Sequence, residues 1–135
     1  MGAAEFKFPV RVYYEDTDAG GLVYHANYLK YYERARTEFL SNLGIEQDGL
    51  LAKHIGFVVK RITIDNVLAA KFNDRLTVVT KIHALKRARI EFEQRIERSE
   101  RVINTAIIEI ACVDLQQLKP IRIPEFILGE LQSVC

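Results

Sequence analysis

At 135 residues the chain suits one domain, which buries roughly two-thirds of its unfolded surface and builds a core without metals or disulfides. Hydrophobic residues make up 49% and charged residues 27%, an ordinary globular balance, and the net charge of +1 excludes the dense positive field of a nucleic-acid binder. The two cysteines, Cys112 and Cys135, form no disulfide framework and fit a reducing compartment.

Metal-ligand spacings such as CxxC and HExxH are absent. No apolar run is long enough to insert into a bilayer, and Met1 to Lys7 lacks the apolar region of a signal peptide. A cytoplasmic location is expected.

Phe6, Phe8, Val10, Val12 and Tyr14 alternate with Lys7, Pro9, Arg11, Tyr13 and Glu15, which predicts a half-buried strand. Pro9 removes a ladder donor and points to a sheet edge. The run Asp16-Thr17-Asp18-Ala19-Gly20-Gly21 is dense in turn formers.

The period then changes. Tyr28, Tyr32, Ala35, Phe39 and Leu43 fall on one helical stripe, with Leu29, Tyr31 and Leu40 beside it. Asn27 is the candidate N-cap and Gly44 the candidate stop. Such a helix is about 25 Å long at ~1.5 Å per residue, enough to cover about five strands at ~4.8 Å spacing.

Beyond a short segment from Ile45 to His54, strands dominate. Phe57–Leu68 and Arg75–Leu85 are β-branched. Arg89–Arg98 alternates, with Ile90, Phe92, Gln94 and Ile96 on one face, and Ser99-Glu100 marks a tight hairpin turn. In Val102–Val113 both faces are apolar, Ile103, Ile107, Ala111 and Val113 against Ala106, Ile108, Ile110 and Cys112. That pattern predicts cover on both sides, by a subunit partner or another layer. Leu115–Pro124 is expected to be loop, and Pro124 to start a short terminal helix. The order predicts an α+β domain over residues 1–135, with one long helix on a mostly antiparallel five-stranded sheet.

Asp18 follows a strand and precedes a helix, and His25 stands at that helix start. A helix N-terminus offers unpaired N–H groups and partial positive charge, which can polarise a carbonyl. A facing carboxylate can attack that carbonyl or activate water. On spacing alone, turn or cap roles fit Asp16, Asp18 and His25 at least as well. His54 and His83 have no carboxylate partner in sight. Lys86, Arg87 and Arg89 form a local basic group, either a solvated turn or an anion-binding rim.

The run Val12-Tyr13-Tyr14-Glu15-Asp16-Thr17-Asp18-Ala19-Gly20-Gly21-Leu22-Val23-Tyr24-His25-Ala26-Asn27-Tyr28 closely resembles the 4-hydroxybenzoyl-CoA thioesterase family. Together with Tyr32 to Glu38, it looks closest to the Tol-Pal-associated, YbgC-type branch of acyl-CoA thioesterases. The resemblance implies a hotdog fold, a curved antiparallel sheet wrapped around the helix. It also implies a homodimer or dimer of dimers with active sites at the subunit interface.

The family's catalytic carboxylate matches Asp18, its carbonyl-polarising amide matches the backbone N–H of His25, and a position implicated in activity matches Tyr14. Lys86, Arg87 and Arg89 are candidates for the CoA phosphates. No cofactor is implied, since CoA, or the phosphopantetheine of acyl carrier protein, is the carrier portion of the substrate. The competing expectations are a hotdog dehydratase, a non-catalytic acyl-CoA or acyl-carrier binding module, and a metal-binding D-x-D site.

Overall fold

In the computed structural model, which describes residues 3–135, the core is organised around a helix, α1 (Tyr28–Asn42). Its buried positions are Tyr28, Tyr31, Tyr32, Ala35, Arg36, Phe39 and Leu40, a stripe repeating every three or four residues. The strands are β1 (Phe6–Arg11), β2 (Ile55–Asn66), β3 (Arg75–Leu85), β4 (Arg89–Arg98), β5 (Arg101–Asp114) and the two-residue β6 (Lys119–Pro120). They pair in the order β1-β3-β4-β5-β2, every ladder antiparallel, with β6 added to β5. This six-stranded sheet wraps α1 in the hotdog arrangement, one strand more than expected because β6 lies in the segment expected to be loop. Pro9 does sit on an edge strand, since β1 pairs with β3 alone.

Two short helices complete the chain. The Ile45–His54 segment holds α2 (Gln47–Leu51), and α3 (Glu125–Gln132) follows Pro124 and sends Ile127 and Leu131 into the same core. α1 stops where Gly44 takes φ +80. The Gly44 N–H donates to Ser41 O and the Ile45 N–H to Leu40 O, which together make a Schellman cap. At the other end Asn27 makes no side-chain cap bond. A 3-10 turn, His25–Asn27, leads into the helix instead, and the Asn27 amide is used elsewhere.

Three β-bulges decide which side chains face α1. Lys60 is unpaired in β2 and His83 in β3, so the core-facing parity changes from Phe57 and Val59 to Ile62 and Ile64, and from Ile82 to Leu85. In β5 the unpaired residue is Ile103, which is fully buried in the core rather than sharing a face with Ile107.

The expected second apolar face of β5 is therefore short. Ala111 and Val113 are buried there, but Ile107 is only half-buried. The surrounding face carries ion pairs, Arg89–Glu109 at 2.7 Å and Lys81–Glu93 at 2.9 Å. Charged side chains with long apolar stems stand beside the apolar residues of that face.

The β4–β5 turn holds Ser99 at φ 51 and Glu100 at φ 68, the left-handed pair of a type I′ hairpin. Neither residue suits that conformation. Replacing Ser99-Glu100 by Asn-Gly is expected to stabilise the fold by about 1–2 kcal/mol, read as a higher urea midpoint at an unchanged slope.

Candidate active site

β1 ends at Arg11, three residues before the point to which alternation carries it. Val12 is buried, its N–H donating to Asp74 O, and Tyr14–Asp16 then form a 3-10 turn. The turn puts Asp16 inside. Its Oδ2 accepts from the Tyr13 N–H and from the Tyr31 hydroxyl, and its Oδ1 from the Asn27 amide, each at 2.9 Å. Burial by itself would raise the Asp16 carboxyl, but these donors outweigh it and hold the group below the usual carboxylate value. Asp16 thus clasps the strand end to the first turns of α1, and this is where the Asn27 side chain is spent.

Beyond Asp16 the chain forms a small hairpin. Thr17 pairs with Val23, the Asp18 N–H donates to Leu22 O at 2.8 Å, and the Tyr24 N–H donates to Asp16 O at 3.0 Å. Gly21 at φ +79 makes the turn at the tip possible. The hairpin is tied to the β2–β3 connection by Leu22 pairing with Lys71 and by the Val23 N–H donating to Ala70 O.

At the tip, Asp18 Oδ1 accepts the N–H groups of Gly20 at 2.9 Å and Leu22 at 3.3 Å. Its Oδ2 has no protein donor among the described residues, and the side chain is exposed. The carboxylate is held by one oxygen and free at the other.

His25 opens the 3-10 turn that runs into α1. No protein acceptor takes its backbone N–H among the described residues, so this donor is one of the orphans of a helix start. The ladder puts His25 opposite Glu15, three residues along the hairpin from Asp18, roughly 10 Å at ~3.3 Å per residue. Their side chains are not hydrogen-bonded to each other. The His25 ring packs on Tyr24 at 4.6 Å between centroids. One hairpin thus carries a carboxylate oxygen and an N–H that no protein group takes among the described residues, the two kinds of group that attacking and polarising a carbonyl require.

Tyr14 stands at the rim, 77% exposed, its ring 5.8 Å from that of Phe72. Tyr13, Leu22, Tyr24 and Phe72 are also exposed, so the segment carrying Asp18 and His25 and the neighbouring β2–β3 connection present large apolar side chains without cover.

The basic candidates lie elsewhere. Lys86 and Arg87 sit in the β3–β4 turn, at the far end of β3 from the Asp18 loop, about 30 Å away at ~3.3 Å per residue. With Lys81, His83 and Leu128 they line a basin of about 670 Å³. Arg89 is committed to Glu109 at 2.7 Å. One chain brings together Asp18, His25 and Tyr14 but not the basic group. Among the described residues no cluster of three or more His, Cys, Asp or Glu could hold a metal ion, and no helix is long and apolar enough to cross a membrane.

Arg36 and Gln94 are buried polar residues whose positions on apolar faces signal them in the sequence. Arg36 falls on the buried stripe of α1, and Gln94 on the apolar face of β4. They meet under the helix, the Arg36 guanidinium donating to Gln94 Oε1 at 3.0 Å. The Gln94 amide donates to Thr80 Oγ1 at 2.8 Å and to Tyr32 O at 3.1 Å.

Comparison with known proteins places this geometry in a family context. The model of the thioesterase-like superfamily matches residues 12–131. The chain is 51% identical over 121 residues to the acyl-CoA thioesterase YbgC of Haemophilus influenzae, covering 89% of each chain. It is 41% identical over 134 residues to the acyl-CoA thioester hydrolase YbgC of Escherichia coli, covering 98% of this chain and 100% of that one. Among solved structures, a probable thioesterase from Bartonella henselae superposes with a TM-score of 0.84 at 40% identity, over 90% of this chain and 100% of the other.

Proposed function

This chain belongs to the thioesterase-like superfamily, and from that premise we propose that it hydrolyses the thioester of an acyl-CoA to a free acid and the CoA thiol. The observation that carries the chemistry is a half-free Asp18 carboxylate and an unpaired His25 N–H on the same hairpin at the start of α1. The thioester carbonyl lies against the His25 N–H, and negative charge developing on its oxygen is stabilised there and by the start of α1. Asp18 Oδ2 attacks the carbonyl carbon to give an anhydride, or takes a proton from the water that does so. The His25 ring orients water or returns a proton to the departing thiolate, and Tyr14 walls the carbonyl side. The carrier is coenzyme A or the phosphopantetheine of acyl carrier protein, and the enzyme works in the cytoplasm as one domain without a cofactor. Thiol release from a panel of acyl-CoAs of graded length tests the reading. Binding across the panel without thiol release would overturn it in favour of a carrier-binding module, and chemistry on the acyl chain without release would point to a dehydratase.

The working unit in this reading is a dimer joined through β2. That strand is twelve residues long, forms the free edge beside β5, and exposes Val58, Val59 and Ile62. A long, β-branched open edge is a template for pairing with another chain. Two-fold antiparallel pairing through β2 sets opposite ends of the two sheets side by side. It turns the Lys86–Arg87 end of one copy toward the Asp18 loop of the other, a route by which those cations reach CoA phosphates. Dimers of dimers are a further step of the same assembly. Val58→Glu with Ile62→Glu is expected to halve the mass seen by light scattering and to lower kcat/KM at least tenfold. A wild-type chain that is monomeric and fully active would rule the arrangement out.

A further inference from the structure

The segment from Val12 to Val23 rests on residues 70–74 of the β2–β3 connection along its whole length. The Val12 N–H donates to Asp74 O at 2.9 Å, and the Asn73 N–H donates to Val12 O at 3.0 Å. The Phe72 ring stands against Tyr14, and the Phe72 N–H donates to Gly21 O at 3.2 Å. Lys71 pairs with Leu22, and Ala70 O accepts the Val23 N–H at 2.9 Å. Leu22 is in turn a donor to Asp18 Oδ1. The place of this connection therefore sets the place of the Asp18 carboxylate.

Of residues 70–74 only Ala70 is buried, so apolar packing fixes little of the platform. Its shape comes from a turn closed twice between Lys71 and Asp74. The Asp74 N–H donates to Lys71 O at 3.0 Å, and the Lys71 N–H donates to Asp74 Oδ2 at 2.9 Å. Asn73 takes φ 71 in this turn, a left-handed value that asparagine tolerates. From α1 the Tyr28 hydroxyl accepts the Ala70 N–H at 3.0 Å. From the sheet Arg98, the last residue of β4, reaches across the connection. Its Nη1 donates to Asp74 Oδ2 at 2.7 Å and to Ala69 O at 3.0 Å. One cationic nitrogen thus ties both ends of the turn to a core strand.

We propose that Asp74 and Arg98 are positioning residues for the hydrolysis, setting the Asp18 carboxylate through Lys71 and Leu22. The inference rests on the thioesterase reading and adds to it an ion pair outside the Tyr14-to-His25 run. With 30% of the Arg98 side chain exposed, the pair is open enough to solvent to contribute little to global stability. A displacement of ~1 Å at a reacting group, by contrast, can cost ~10²-fold in rate. Breaking the pair therefore separates rate from stability, which the loss of a merely structural tie does not do.

Arg98→Met is expected to lower kcat about tenfold or more for each acyl-CoA that the wild type turns over. KM should stay within about threefold and the melting temperature within about 4 °C of wild type. Amide hydrogen exchange read by mass spectrometry should quicken in peptides spanning residues 18–24 and 69–74, while α1 and β5 keep their protection. Arg98→Lys should recover kcat to within about threefold of wild type, since one nitrogen makes both bonds and an ammonium can donate to both. Asp74→Asn, which keeps an acceptor for the Lys71 N–H and removes the charge, serves where Arg98→Met does not fold. It should lower kcat at least about threefold with the same local change in exchange. Wild-type kcat in Arg98→Met overturns the proposal, as does a loss of rate that comes with faster exchange throughout the chain and is not recovered by lysine. A wild type that releases no thiol from any acyl-CoA would instead sink the thioesterase reading, and exchange in residues 18–24 would still decide whether Arg98 holds the hairpin.

Discussion

Asp18→Asn is expected to lower kcat/KM for acyl-CoA by about 10²–10⁴ while shifting the melting temperature by less than about 2 °C. The two halves of the expectation have separate causes. The amide oxygen of asparagine can still accept the Gly20 and Leu22 N–H groups that hold Asp18 Oδ1, so the hairpin tip keeps its geometry. The side chain is exposed, so no buried contact is lost. What disappears is the ionised free oxygen, and an amide neither attacks a thioester nor takes a proton from water at neutral pH. Thiol release and a thermal melt on the same preparation check both halves. Unchanged turnover would remove Asp18 from the mechanism, and a collapse of the melt would give it the structural role that spacing alone favoured. Single turnover in ¹⁸O-labelled water tests the routes, since an anhydride opened by water at the Asp18 carbonyl leaves the label in that carboxylate, whereas water attacking the thioester directly leaves it only in the released acid.

Asp16→Ala is expected to do the opposite, costing about 3–5 kcal/mol of stability and taking activity with it. Hydrogen bonds to a charged group contribute ~1.5–3 kcal/mol each, and the Asn27 and Tyr31 donors would be left buried without an acceptor. At that cost the melting temperature should fall by roughly 10–20 °C. Activity falls too, because the clasp sets the spacing between the Asp18 loop and the start of α1. The pH dependence carries the same signature. The Asp16 carboxyl is lower in the folded chain than in the unfolded one, so the unfolded chain binds the proton first as the pH drops. Its contribution is complete above the ordinary carboxylate value of about 3.9 and is lost as the pH falls through the lower folded value. Asp16→Asn, which keeps some of the bonds but cannot ionise, should flatten that acid limb in a pH series of denaturant midpoints. An unaltered acid limb would mean that the clasp contributes little.

Much of the fold was legible because it repeats. The limits of β3 and β4, the Ser99-Glu100 hairpin and the Gly44 stop follow from period-two alternation and turn chemistry, both local properties. Parity failed where one residue was inserted. The bulge at Ile103 moved that side chain into the core, and a bulge is settled by which residues pair across strands. β1 stopped short for a similar reason: Tyr14 continues the alternation, but the chain turns there so that Asp16 can reach Tyr31 and Asn27. Asn27 read as a cap for the same short-range reason, whereas its real partner lies eleven residues earlier.

The site divides along the same line. That a carboxylate, a glycine pair and a helix start follow one another from Asp18 to His25 is written in the sequence, and the family resemblance of that run separated Asp18 from Asp16. Composition and hydrophobic period by themselves determined a globular α+β chain with one long amphipathic helix. Only the tertiary structure decided which acid is buried and which is free, because that depends on donors brought from α1. It also decided that Lys86 and Arg87 stand at the opposite end of the sheet from Asp18, and that Arg36 lies under the helix beside Gln94. The physical reason is common to all three. A side chain's burial and its partners come from packing between elements distant in sequence, and periodicity records only which face each element turns inward.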